Sequence, residues 1–231
     1  MKAYKHIFFD LDHTLWDFKT NSRLTLSEIY LHFNLNDKGI DNVDSFIDIY
    51  EKCNHKMWSE YRRGKMSKET LRTERFRQSL SHLGVKEKDL SNGIADYYVD
   101  NSPIKTTLFP GAIEVLNELN SKYKLHIITN GFEEVQDIKL SKSGLSPFFN
   151  HIITSEKAGV KKPHPAIFTY SLKLAGANAV ESLMIGDNQL VDVEGALKMG
   201  IDAVFFNPEE SKTFVNPTHE IKSLNELLSF L

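Results

Sequence analysis

Lys5-His6-Ile7-Phe8-Phe9-Asp10 is the stretch that decides the fold: a short apolar run that stops on an acid. It reads as a buried strand over 5–9, and a buried strand needs neighbours. None follows at once, because residues 19–101 carry a helical texture, with helices expected near 20–34, 42–63, 67–83 and 87–100. Phe46, Ile49, Tyr50, Cys53, Met57 and Trp58 recur at three-to-four spacing, the stripe of an amphipathic helix and the expected core of this region. Ser67 with Glu69 and Thr70 opens the third helix, Gly84 closes it, and Asn101-Ser102-Pro103 marks a break. Beyond Pro110-Gly111, helices at 111–122, 133–142, 164–175, 191–199 and 223–230 alternate with strands at 124–128, 151–154, 182–185 and 201–205. Strands separated by single helices need crossover connections, so the sheet is parallel and covered on both faces. The strand at 5–9 must join it. The expected fold class is therefore α/β, a doubly wound parallel sheet built from 1–16 and 103–231, with an all-helical insert at 17–102.

Composition narrows the function. The chain has 231 residues, 41% hydrophobic and 26% charged, a globular balance long enough for a sizeable core. With 28 basic and 31 acidic residues the formal charge is −3, and the absence of a long basic run argues against nucleic acid as a partner. Apolar runs such as Ile7-Phe8-Phe9 are far too short to span a bilayer, and two aspartates by Asp12 interrupt any signal-peptide core, so a cytoplasmic protein is expected. One cysteine, Cys53, excludes an intramolecular disulfide and a cysteine-rich zinc site.

In an open parallel sheet, ligands collect beyond the carboxyl ends of the strands. The residues expected there are Asp10-Leu11-Asp12-His13-Thr14, Thr129-Asn130-Gly131, Lys161-Lys162-Pro163, and Gly186-Asp187 with Asp192 five residues later. Carboxylates clustered without sulfur suit a hard cation such as Mg²⁺.

Asp10-x-Asp12-x-Thr14, Thr129-Asn130-Gly131, Lys162-Pro163-x-Pro165 and Gly186-Asp187-x-x-x-x-Asp192 resemble, in order, the four motifs of the haloacid dehalogenase superfamily. The insert after the first motif matches that superfamily's helical cap. The resemblance implies that Asp10 is a nucleophile carrying an aspartyl-phosphate, and that Asp12 is the acid and base serving the leaving oxygen and then water. It implies that Thr129, with Asn130 and Gly131, meets the phosphoryl group and that Lys162 neutralises its charge. Asp10, Asp187 and the backbone carbonyl of Asp12 would hold Mg²⁺, with Asp192 behind them positioning Lys162 or a bound water. Asp12 favours a phosphatase over a carbon–halogen dehalogenase, since a halide leaves without a proton and an alkoxide does not.

The segments Phe8–Phe18 and Trp58-Ser59-Glu60-Tyr61-Arg62-Arg63-Gly64-Lys65 are similar to the branch of pyrimidine 5′-nucleotidases acting on nucleoside monophosphates such as UMP, dUMP and dTMP. The expected partner is thus a small-molecule phosphate ester, with Trp16 and Phe18 available to stack on a base. Two other readings stay open: a phosphatase acting on sugar phosphates, and a phospho-accepting signalling module that reacts once. Elsewhere plain structural roles are expected. Cys53 and His55 read as core cysteine and surface histidine, His164 as part of a loop, and Arg62, Arg63, Lys65 and Lys38 as solvated. His13 reads as packing or hinge. Oligomeric state is not encoded in these patterns.

Overall fold

β1 (His6–Phe9) lies between β2 (Lys124–Thr129) and β4 (Ser182–Gly186), so the opening strand does pair with segments more than a hundred residues away. The computed structural model describes residues 4–231. Its sheet has six parallel strands in the order β3-β2-β1-β4-β5-β6, with β3 at His151–Thr154, β5 at Asp202–Phe206 and β6 at His219–Ile221. Strand order reverses at β1, so the crevice beyond Phe9 is the switch point where an open α/β sheet binds its ligand.

The chain divides into two compact units, one running up to Phe18 and resuming at Thr106–Leu231, the other Lys19–Lys105. In the first, the two-residue strand period sends Ile7, Phe9, Leu125, Ile127, Leu183, Ile185, Val204 and Phe206 to one face. There they meet α5 (Ala112–Asn120), α6 (Glu133–Lys142) and the C-terminal 3₁₀ turns at Leu224–Ser229. Phe8, Ile128, Ile153, Met184, Ala203 and Phe205 go to the other face, against α8 (Pro165–Ala175), which follows the single turn of α7 (Ser155–Ala158), and α9 (Glu194–Leu197). Both faces are dry, which is why the strands read as apolar runs rather than as alternation.

The second unit holds α1 (Phe18–His32, entered from the first unit), α2 (Val43–Arg62), α3 (Lys68–His82) and α4 (Lys88–Asn101). Asn42 and Ser67 cap α2 and α3 by accepting backbone N–H bonds. Leu26, Ile29, Phe46, Tyr50, Phe76, Leu80, Ile94 and Tyr98 form its own core. Trp58, expected in that core, is only half-buried, edge-on to Tyr61. Cys53 is buried and His55 exposed.

Several elements differ from their sequence reading. The helix expected at 191–199 is a wide π turn at Gln189–Val193 followed by the single turn of α9. Asn188 starts that π turn by accepting from the N–H groups of Leu190 and Val191. The helix expected at 223–230 is 3₁₀. β6 is three residues long, too short to show a period. His164 is a cap: its Nδ1 accepts from Ala166 N–H at 3.2 Å and starts α8. No helix among the described residues is long and apolar enough to cross a membrane.

On the α8 face, His6, His126 and His151 form a stack across β1, β2 and β3, with ring centroids 5.4 and 5.3 Å apart and planes within 14°. His6 Nδ1 and His126 Nε2 share one proton at 3.1 Å, and His126 Nδ1 has no hydrogen-bond partner among the described residues. Burial, reinforced by the charges of His6 and His151, pushes His126 down to about 3. The folded protein keeps this ring neutral while the unfolded chain protonates it near 6.5, so stability falls as pH drops below that value. His126→Leu should flatten the loss between pH 7 and pH 5 by about 1 kcal/mol per pH unit, read from urea midpoints. Parallel pH profiles for wild type and variant would contradict this.

Candidate active site

The first motif is a tight turn locked by its apolar members. Leu11, Leu15 and Trp16 are fully buried, and the Leu11 carbonyl accepts the N–H groups of Thr14, Leu15 and Trp16. His13 takes the left-handed conformation at φ 66°, and its ring lies 4.8 Å from that of Phe18. Asp10 itself is tied to the sheet, its N–H donating to Ile185 O at 2.9 Å. The two-residue spacing then leaves Asp10 and Asp12 together at the carboxyl edge, with Leu11 pinned inward.

Lys162 comes from the loop before α8 and is 1% exposed. Its Nζ donates to Asp10 Oδ1 at 2.6 Å and to Ile128 O at 2.6 Å, and lies 2.7 Å from Asp192 Oδ1. Two of the ammonium's three protons are spent on Asp10 and Ile128 O; the contact with Asp192 is an ion pair by distance, and Asp192 Oδ1 accepts no hydrogen bond among the described residues. Asn130 holds this lysine's backbone from both sides: Asn130 Nδ2 donates to Lys162 O at 3.0 Å, and Lys162 N–H donates to Asn130 Oδ1 at 2.8 Å. The amide expected to meet substrate is thus spent on positioning the lysine.

Asp192 is delivered by the π turn and is anchored by Asn188 N–H at 3.1 Å. It packs so closely that a Cβ on Gly186 would stand 2.5 Å from the Asp192 Cβ, so glycine at 186 makes room for it. Asp187 is half-buried and accepts a long bond, 3.4 Å, from Thr14 Oγ1. Oxygens of Asp10, Asp187 and Asp192 come within 4.8 Å of one another, a hard, all-oxygen donor set. Three carboxylates against one ammonium leave two excess negative charges, which a divalent cation balances. The residues therefore fit Mg²⁺.

The protonation pattern follows from the same crowding. Burial pushes Asp10 up to about 7; Lys162 opposes this, while Asp192 and Asp12 add to it. Burial, then the charges of Asp10 and Asp192, lift Asp187 well above the usual carboxylate range. Lys162 is held charged: burial would lower it, but Asp10 and Asp192 outweigh that. Asp12 goes the other way, since burial is overcome by the Lys139 ammonium and it stays below its ordinary value.

Lys139 and Gln136 were not among the residues the sequence singled out. Lys139 is ion-paired to Asp12 Oδ1, and its Nζ lies 4.0 Å from the centre of the Trp16 ring, so Trp16, expected to be available to a base, is instead fully buried and packed against this lysine. Gln136 Nε2 donates to Asp12 Oδ2 at 2.8 Å and to Thr129 Oγ1 at 3.3 Å. Thr129 Oγ1 also accepts Gly131 N–H at 3.0 Å. The available signal was the three-residue spacing of Gln136 and Lys139 on the helix that follows a strand-end motif. It is masked because α6 buries these two polar residues and leaves Ile138 exposed, the reverse of an amphipathic pattern.

The comparisons agree with this architecture. The profile of the haloacid dehalogenase-like hydrolases matches residues 7–206. Pyrimidine 5′-nucleotidase PynA of Streptococcus pneumoniae is 34% identical, the match covering 99% of this chain and 95% of the relative. Pyrimidine 5′-nucleotidase YjjG of Escherichia coli is 31% identical over 97% of this chain and 96% of its own. Among solved structures, the HAD-hydrolase YfnB of Bacillus subtilis bound to magnesium superposes with a TM-score of 0.89 at 29% identity, covering 99% of this chain and 98% of that one. With acids and a buried lysine gathered at the switch point of its sheet, and with this match across nearly its whole length, the chain belongs to the haloacid dehalogenase-like hydrolase family.

Proposed function

We propose that the protein is a Mg²⁺-dependent phosphatase of pyrimidine nucleoside 5′-monophosphates that works through an aspartyl-phosphate on Asp10. The observation that carries the chemistry is the second aspartate. Asp12 stands at the same edge as Asp10, half-buried, while Lys162, from the loop before α8, meets Asp10 at that edge. The two near-full-length nucleotidase relatives support the substrate class.

In the first step an Asp10 oxygen attacks phosphorus, the bond to the 5′-oxygen breaks, and Asp12, which must enter this step protonated against the pull of the Lys139 ammonium, gives that oxygen its proton. In the second, Asp12 takes a proton from water as the water oxygen attacks phosphorus, which releases inorganic phosphate and restores Asp10. Thr129 hydrogen-bonds a phosphoryl oxygen, and Lys162, braced by Asp192, offsets charge on Asp10 and the phosphoryl group. Mg²⁺, which we assign to Asp10, Asp187 and the backbone carbonyl of Asp12, would supply further neutralisation of the phosphoryl oxygens.

A phosphate-release screen with Mg²⁺ present tests this reading. UMP, dUMP and dTMP should exceed purine monophosphates and sugar phosphates by about 10-fold or more in kcat/KM. Activity should vanish on exhaustive chelation and return with Mg²⁺. A preference for sugar phosphates would replace the substrate assignment, full activity after chelation would remove the metal, and a single phosphorylation without turnover would indicate a phospho-accepting module.

A further inference from the structure

We infer that Gln136 and Lys139 are positioning residues that clamp the carboxylate of Asp12 and tie it to Thr129, so that the group serving the leaving oxygen is held in register with the group binding the phosphate. The inference rests on the phosphatase reading above and extends it to two residues outside the four motifs.

Three observations carry it. First, the clamp is complete: Oδ1 of Asp12 is paired with Lys139, Oδ2 accepts from Gln136 at 2.8 Å, and the same Gln136 nitrogen reaches Thr129 Oγ1 at 3.3 Å. A carboxylate offers about four lone-pair positions, so two bonds fix its plane and still leave each oxygen able to exchange a proton. Second, the clamp is braced. Lys139 is 4% exposed and lies over Trp16, which is fully buried in the same turn that carries Asp12. Third, it is costly to build. Gln136 is fully buried, yet its Oε1 has no hydrogen-bond partner among the described residues. A buried amide oxygen left bare is unfavourable, and an apolar side chain would fill the space without that cost. The orientation is forced because a carboxylate only accepts, so the NH₂ end must face Asp12.

Gly131 belongs to the same device. A Cβ there would overlap Gln136 Nε2, although the Gly131 backbone does not occupy the left-handed region. Glycine at 131 is therefore explained by the passage of the Gln136 side chain, not by turn geometry.

The test uses wild type, Gln136→Met, Lys139→Met, Lys139→Arg, Gly131→Ala and the Gly131→Ala/Gln136→Met double variant, each checked for an unchanged melting profile. Single-turnover formation of the phospho-enzyme is followed with UMP and with p-nitrophenyl phosphate, whose leaving group needs no proton. With UMP, Gln136→Met and Lys139→Met should slow that step by about 10- to 100-fold, with KM within about threefold. The loss with p-nitrophenyl phosphate should be about tenfold smaller. Lys139→Arg should recover most of the rate. Gly131→Ala should mimic Gln136→Met, and the double variant should be no slower than either single, since the two act through one contact. Equal losses on both esters, or additive losses in the double variant, would overturn the clamp alone. A wild-type protein that turns over neither ester would remove the phosphatase reading and the inference with it. Crystal structures of the two Met variants give a readout free of turnover: Asp12 should leave its present orientation, and an unmoved Asp12 overturns the inference.

Discussion

Asp10→Asn should abolish multiple turnover, lowering kcat by about 10⁴-fold or more, while the protein still folds. An amide oxygen does not displace an alkoxide from phosphorus, and a neutral group holds a cation poorly. The fold should survive because Asp10 is not a net stabilising charge: burial pushes it up to about 7, the mark of a carboxylate kept in place against its solvation preference. Lys162 would keep Asp192 at 2.7 Å and Ile128 O at 2.6 Å as partners, so the lysine stays anchored. Steady phosphate release by Asp10→Asn, measured on material free of reverted aspartate, would contradict the assignment.

Lys162→Met should damage both activity and stability. Methionine fills much of the same space but leaves Asp10, Asp187 and Asp192 facing one another and leaves Ile128 O without its donor. Removing one partner of a buried ion pair typically costs about 3–5 kcal/mol. Here the acids escape part of that cost by taking up protons, which gives the effect a definite pH sign. Their folded-state values in the variant lie above those of the unfolded chain, so stability is retained at low pH and lost as pH rises through the folded values. The variant should therefore be most destabilised near pH 8 and approach wild type near pH 5 in urea titrations. Activity should fall by about 10³-fold or more at every pH, because nothing then offsets the phosphoryl charge beside Asp10. Destabilisation that grows toward low pH would mean the cluster is not held by this ammonium.

The sheet was legible because its strands are buried on both faces and end on polar residues. Ile7-Phe8-Phe9 before Asp10 and Leu183-Met184-Ile185 before Gly186-Asp187 announce themselves as strand ends without any alignment. Once the sheet is parallel, topology alone brings Asp10, Thr129, Lys162 and Asp187 to one edge. What stayed hidden depends on side-chain direction. Asn130 belongs to a strand-end motif, but only coordinates reveal that its amide grips the Lys162 backbone. Gln136 and Lys139 point inward from a helix whose apolar Ile138 points out, so hydrophobic periodicity assigns them to solvent. The π turn at Gln189–Val193 escapes for a similar reason: the residues that build it also suit an α-helix, and the wider turn is set by Asn188 and by the room that Gly186 leaves for Asp192. Trp58 follows the stripe of α2 in sequence but ends half-buried near the helix's last turn.

The covalent step on Asp10 is the centre of the account, and trapping it is the most direct test. Protein mixed with UMP labelled in its phosphorus and Mg²⁺ should be quenched in acid within the first turnover, digested, and mapped by mass spectrometry. The predicted result is an acid-stable, hydroxylamine-sensitive acyl phosphate on Asp10 that forms at least as fast as phosphate is released. Label on another residue, or phosphate release with no covalent label at any quench time, would contradict it.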